Sequence, residues 1–384
     1  MKKNQFTKKQ HYISQGLLKL FSDDGDHIYE CLVSLKKVYQ TAVADAMEEN
    51  CTYEHPLLDE NALEDAFATI EGEYIPQIVA IANEVISSEK LTTETYAKIC
   101  QLLKIFLLFY YRSGAVLSEF CYGVDDPDIK KRLRVRRLLE IITTRSYLKQ
   151  LASSILNGYE CALLHAGKSH FIISDQYLST VALSYKNQFV NTSNRAIGMR
   201  DTMVLIPLSS KLYIAFFNGK VPDFIEHNQI SLLSESQVFQ INKLIFHNSF
   251  KKCASPNKAL LDALKKENYC SYEATQVFFG NDNGGVGGYT NKKEIFFYPE
   301  DEEICTFCMQ YALKYRELKN QHGKAHIRNT KCPCGSGKKF KTCCLSKYER
   351  AYQAVEETQN PKLPNYRISG CITEMPIYEF WNND

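Results

Sequence analysis

Thr202-Met-Val-Leu-Ile-Pro-Leu-Ser-Ser-Lys-Leu-Tyr-Ile-Ala-Phe-Phe217 is the stretch whose reading decides the fold class. It holds two short apolar runs, Thr202 to Pro207 and Lys211 to Phe217, too brief for helices and parted by serines. Cys161 to His165 and Ser169 to Ser174 are two more such runs upstream, separated by Gly, Asn and Ser. Together they predict an antiparallel sheet that begins after Asn157-Gly158.

Before that point the pattern is mostly helical. A short helix is expected within residues 5 to 21, which carry Leu17, Leu18, Leu20 and Phe21. Asp23-Asp24-Gly25-Asp26 reads as a turn, followed by a period-two strand from His27 and a second strand near Val38 to Ala42. From Asn61, Leu63, Phe67, Ile70, Tyr74 and Ile75 return on one face, and Pro76 is expected to end or kink the run before Ile78, Ile81 and Val85 continue it. Thr92 or Thr93 should cap a helix through Leu102 to Tyr111, and Asp125-Asp126-Pro127-Asp128 another that starts near Ile129.

Beyond the sheet, helices are expected at Gln237 to His247 and Asn257 to Lys266. Gly280 to Gly288 reads as a flexible, exposed loop whose glycines lack the Lys-Ser/Thr and helix of a phosphate loop. Glu302 to Gln321 should form a helical arm, and the proline-bearing end a tail that packs back through Tyr378, Phe380 and Trp381. The fold class is therefore α+β, with a helical N-terminal half, an antiparallel sheet with helices in the second half and a small C-terminal knuckle. The expected division is a body over 1–300, an arm over 301–327, the knuckle over 328–347 and a tail over 348–384.

A chain of 384 residues that is 45% hydrophobic is long enough for two domains with real cores. Its formal charge of +2 excludes a whole-molecule field that would draw it to nucleic acid or membrane, leaving only local patches. The N-terminus runs through Lys8-Lys9-Gln10-His11 with no apolar region of a secretory signal, and Leu102 to Leu117 is interrupted by Lys104 and Arg112. The expected location is the cytosol, where most of the fourteen cysteines would be reduced and simply buried.

One cluster of thiols reads otherwise. Arg328-Asn-Thr-Lys-Cys-Pro-Cys-Gly-Ser-Gly-Lys-Lys-Phe-Lys-Thr-Cys-Cys344 places Cys332, Cys334, Cys343 and Cys344 in the spacing Cys-x-Cys-x8-Cys-Cys. Zinc takes four such ligands tetrahedrally at about 2.3 Å, and a closed shell of four is structural and not catalytic. With Phe340 as its one aromatic, the stretch is expected to be disordered without metal, whose binding supplies on the order of 10 kcal/mol. A pair of disulfides or four unrelated thiols is the bland reading, and His326 the one substitute ligand nearby. The stretch closely resembles the SEC-C motif, the zinc knuckle at the C-terminus of the SecA translocase and of many other bacterial proteins. There the fourth ligand is usually histidine, where this chain has Cys344. The resemblance implies a docking module.

Gln10-His11-Tyr12 with Leu17-Leu18 and Phe21 resembles the start of a large bacterial family of unknown function, catalogued as domain of unknown function family 4238. Leu63-Glu64, Ile70-Glu71, Tyr111-Arg112-Ser113, Phe171-Ile-Ile-Ser-Asp175, Ile206-Pro207-Leu208-Ser209 and Ile241-Asn242 follow in the family's order, over roughly residues 8 to 250. Ser14 and Gln176-Tyr177 depart from the proline and Asn-Pro usual there. Members occur among genes linked to phage resistance, so the resemblance implies a defence role without a reaction.

His11, Glu64, Glu71, Arg112, Asp175 and Asn242 are the candidate catalytic set, with carboxylates for a hard metal and a histidine for proton transfer. Glu64 and Glu71 stand two helical turns apart, about 10 Å, too far to chelate one ion. Against this stands a structural reading, in which the glutamates pair with Arg112, Asp175 forms a turn and Asn242 caps a loop. Lys130, Lys131, Arg132, Arg134, Arg136 and Arg137 form the densest charge and could track a nucleic-acid backbone, although such a helix face is more often solvated. Lys338, Lys339 and Lys341 add a second basic surface. Two functions follow: a cytosolic defence effector with a hydrolytic body and a knuckle that docks a protein or ribonucleoprotein, or a non-enzymatic zinc-dependent adaptor for chaperone, ribosome or nascent chain.

Overall fold

A computed structural model describes residues 7–113, 121, 124–143, 147–184, 197–198, 200–267, 275–280, 286–291 and 295–359. Three of the four predicted apolar runs form the centre of a five-stranded sheet, and the fourth, Ser169 to Ser174, supplies an edge of a different sheet. Strands β5 (Glu160–His165), β7 (Ser179–Ala182), β8 (Thr202–Ser209), β9 (Leu212–Asn218) and β10 (Ile230–Leu232) lie in the order β10-β5-β9-β8-β7. All eight residues of β8 are buried, which is why its sequence is a continuous apolar run and does not alternate. Pro207 is tolerated because β7 pairs no further than Leu205, leaving no ladder partner there for a missing N–H. The sheet is antiparallel except at its edge, where β10 runs parallel to β5, a mixed pairing the short run at 230–232 did not announce.

A second, antiparallel sheet joins the two ends of the body. Its order is β3 (Lys37–Ala42), β2 (His27–Leu32), β11 (Lys252–Ser255) and β6 (Ile173–Ser174), so the expected N-terminal hairpin pairs with a strand more than 200 residues away. The strand expected over Ser169 to Ser174 is shorter, because backbone from Phe171 is bonded elsewhere.

The helix expected within residues 5 to 21 shrinks to α1 (Gln15–Lys19), capped by Ser14. Lys9–His11 is instead a strand, β1, paired with β4 (Glu48–Asn50). Helix α2 (Ala62–Ser88) runs through Pro76, which is exposed, as is Gly72, the residue whose carbonyl it deprives of a donor, so that the break faces solvent. Helix α3 (Thr93–Arg112) starts on the side-chain cap of Thr92 and buries almost all of its last two turns. Asp126 caps α4 (Pro127–Thr143) by accepting from the amides of Asp128 and Ile129. After α5 (Tyr147–Gly158), α6 (Glu235–Asn248) has a full capping box, Ser234 with Gln237, and α7 (Lys258–Leu264) is capped by Asn257. These elements share one core cluster that reaches from Tyr12 to Phe297.

The glycine-rich stretch read as a loop is flanked by a hairpin, β12 (Thr275–Gly280) with β13 (Val286–Asn291); residues 281–285 lie outside the described residues. The arm is α8 (Pro299–His326), interrupted at Gly323, which takes φ 70°. The chain after the knuckle is not a loose tail at its start. Leu345–Gln359 form α9, packed along α8. Tyr311 meets Tyr348, and Tyr315 meets Tyr352, each pair at four-residue spacing on its own helix. Tyr378, Phe380 and Trp381 lie outside the described residues, as do the side chains of Cys305 and Cys308.

Candidate metal centre and buried polar cluster

The knuckle is shaped by two tight turns and one short bridge. Lys331 and Lys339 pair antiparallel, with the Cys332 amide donating to the Lys338 carbonyl and the Phe340 amide to the Thr330 carbonyl. Gly335 and Gly337 both adopt positive φ, 80° and 72°, which is what lets eight residues return the chain to the first thiol pair. Phe340 is fully buried against the edge of the Tyr348 ring, at 5.0 Å, in a small core with Tyr315, Ile327, Cys332 and Leu345. The knuckle therefore does not depend on its one aromatic alone, because both flanking helices supply tyrosines to it.

The sulfur of Cys334 lies 3.3 Å from that of Cys332 and 3.5 Å from that of Cys343, which is 3.6 Å from Cys344. All four sulfurs fall within 4.8 Å of one another. A tetrathiolate tetrahedron at about 2.3 Å per bond has edges of about 3.8 Å, so this set could hold a metal ion with little movement. His326 is not in the group. Ser336 holds the Cys334 thiol down to about 6, and contact with Cys332 pushes Cys344 up to about 12. Such opposed shifts belong to sulfurs that share protons at contact distance.

In the body the six candidate residues divide into two sets. His11, Glu64, Glu71 and Arg112 gather where β1, α2 and the end of α3 meet. Arg112 is 2% exposed; it donates to the Glu71 carboxylate, to the His11 carbonyl and, through Nε at 3.1 Å, to the Tyr53 hydroxyl. The rings of Phe67 and Tyr53 lie 4.4 and 5.6 Å from its guanidinium carbon. Burial works to lower its pKa, but Tyr53 and Glu71 together raise it above the usual arginine value.

Two atoms beside this pair are buried with no hydrogen-bond partner among the described residues, His11 Nε2 and Glu64 Oε2. Burial lowers the pKa of His11, opposed by the Ala44 carbonyl and reinforced by Arg112. Burial raises that of Glu64, opposed by Arg112 and reinforced by Glu71. Both side chains are thereby biased to their neutral forms.

Asp175 and Asn242 have different work. Asp175, 3% exposed, accepts from the amides of Phe250, Lys251 and Lys252 at 2.6 to 2.9 Å and so fixes the entry of β11. Burial raises its pKa against those three donors. Asn242 on α6 accepts from the Ile172 amide and donates to the His170 carbonyl, clamping the approach to β6. Both match the structural reading of the sequence.

The basic helix α4 turns two of its cations inward. Arg134 bonds Glu49 at 2.9 Å and Thr52 at 3.2 Å, and Arg137 bonds Glu140 at 3.0 Å. Lys131 reaches the Asn50 carbonyl, and Arg136 shares Glu140, so the track expected from Lys130 to Arg137 is broken, with Arg132 and Arg136 its exposed members. Sequence reasoning did not single out Tyr53, nor Glu30. Buried Glu30 ties Tyr39, the Met47 amide and Lys252 together at 2.6 to 3.0 Å. Neither stands in a spacing that would have marked it.

A family model described as protein of unknown function (DUF4238) matches residues 9–259. The chain belongs to the DUF4238 family. The SEC-C motif matches residues 328–346 and thus covers all four thiols. No curated protein and no solved structure matches the chain. The DUF4238 match spans both the Arg112 cluster and the Asp175 clamp, and ends before the arm. No helix among the described residues is long and apolar enough to cross a membrane.

Proposed function

We propose that this DUF4238 protein is a cytosolic component of bacterial anti-phage defence, in which zinc holds the knuckle as a docking tip and the body performs a hydrolytic, nuclease-like step. The observation that carries the docking half is the cluster of four sulfurs seated on the α8–α9 hairpin. Four thiolates leave zinc no open position, so the ion's role is to shape a surface for a protein or ribonucleoprotein. Ten free cysteines among the described residues accord with a reducing compartment.

The hydrolytic half rests on His11 and Glu64. Burial favours the neutral form of His11, whose Nε2 can accept a proton, and raises the pKa of Glu64 toward the form that can donate one, the two roles that activation of water and departure of a leaving group require. The defence assignment comes from the resemblance to phage-resistance genes. Cells that express the wild type, His11→Ala or Glu64→Gln are challenged with phage. Protection by the wild type and loss in both variants, at unchanged protein level, is expected; full protection by both variants removes the hydrolytic half.

The adaptor reading is favoured by the structural employment of Asp175 and Asn242, which shrinks the candidate catalytic set. Affinity capture with intact and Cys343→Ser protein distinguishes it. Partners lost with the variant support docking, and equal recovery of partners removes it.

A further inference from the structure

The charge of this chain is segregated. Residues 314–350 carry eleven lysines and arginines against two glutamates, a net +9, whereas the whole chain is +2, so everything else is net −7. The excess sits on the knuckle and the helix ends that hold it. Arg328, Lys331, Lys338, Lys339 and Lys341 are all exposed, and no ion pair involves them among the described residues.

Lys331 and Lys339 are more than neighbours. The amides and carbonyls around them bond on either side, Cys332 to Lys338 and Phe340 to Thr330, which makes the two lysines a non-hydrogen-bonded antiparallel pair. That is the closer type, with Cα atoms about 4.5 Å apart and both side chains on one face. Like charges directly opposite one another are destabilising. A folded knuckle that keeps two ammonium groups there, with no carboxylate between them, is electrostatically suited to an anion.

We infer that the Lys331–Lys339 pair and the cations around it bind the phosphate backbone of single-stranded RNA. The inference rests on the docking reading above and names the partner class for that surface. A polyanion fits better than one phosphate because the excess charge extends over the whole tip. A flexible single strand fits better than a duplex because the five exposed cations of the knuckle, Arg328, Lys331, Lys338, Lys339 and Lys341, stand on short turns and the two-residue bridge and not along one helix that could enter a groove. The negative remainder of the chain repels the same strand and confines contact to the tip.

Binding of a fluorescent uridine 20-mer to the zinc-loaded full chain is measured between 50 and 300 mM salt. Four to five phosphate contacts predict a slope of log affinity against log salt of roughly −3. Lys331→Gln/Lys339→Gln should weaken binding roughly tenfold at low salt and flatten the slope by about 1.4, with zinc content unchanged. Equal binding by the double variant, or equal affinity for duplex DNA, overturns the inference. So does a wild type that ignores RNA yet binds a polyglutamate peptide, an outcome that keeps the docking reading and makes the partner an acidic protein. If neither polymer binds, the RNA clamp is removed, and the Cys343→Ser capture above decides docking by itself.

Discussion

Helix α4 and the knuckle are both dense in lysine and arginine, yet the fold treats them oppositely. On α4, Arg134, Arg136 and Arg137 meet Glu49 and Glu140, and two of the three are buried among apolar neighbours such as Val135 and Leu138. At the knuckle, Lys331 lies opposite Lys339, and among the described residues no ion pair engages either. The first charge is spent inside the molecule; the second is left for something outside it. What separates them is whether acid lies within reach, from a neighbouring segment as Glu49 does for Arg134 or one turn along the same helix as Glu140 does for Arg136 and Arg137.

The comparison breaks most severely if the knuckle does not need metal. Chelation, or Cys343→Ser, should release bound zinc and expose residues 328–346 to protease, since metal binding contributes on the order of 10 kcal/mol to such folds. Elemental analysis with limited proteolysis checks this. A knuckle protected equally with and without metal would mean that Tyr315 and Tyr348 alone hold it.

On the body side the largest effect is expected at Arg112. Arg112→Ala strands the Glu71 carboxylate and leaves the His11 carbonyl with only the longer bond from the Tyr53 hydroxyl, and should cost about 3–5 kcal/mol in urea unfolding. Asp175→Ala leaves three amides of the β11 entry unpaired and should cost about 2–3 kcal/mol. Losses within 0.5 kcal/mol would show these groups to be wet and available, contrary to their burial.

A pH series sharpens the same contrast. The folded pKa of His11 lies below its unfolded value of about 6.5, so the unfolded chain binds the extra proton and stability falls as pH drops through 6.5. His11→Gln should remove that part of the acid loss. The smallest effect is expected at Arg132, exposed on α4. Arg132→Ala should change stability by about 0.5 kcal/mol or less and leave RNA affinity where it was, whereas Lys331→Gln/Lys339→Gln should lower that affinity.

Much of the fold was legible where a pattern is local. Helix caps at Thr92 and Asp126, the apolar runs of β5, β8 and β9, and the Cys-x-Cys-x8-Cys-Cys spacing each declare themselves within one or two turns of chain. Pairings over distance were not legible. β1 has no local signature because Gln10 and His11 are bonded into a strand only by β4, some 40 residues on, and β11 joins β2 from the far end of the body. The candidate site shows the same limit, with Arg112 drawing in His11 and Glu71 from two other elements while Asp175 and Asn242 went to backbone amides and carbonyls.

Sequence by itself determined the α+β class, the thiol set and the order of the family's polar residues, because spacing along a chain is a one-dimensional property. Only the tertiary structure decided which arginines turn inward, which carboxylates meet distant partners and which lysines face one another. Burial and ion pairing depend on groups far apart in the chain meeting at a few ångströms, and that is settled when the elements pack.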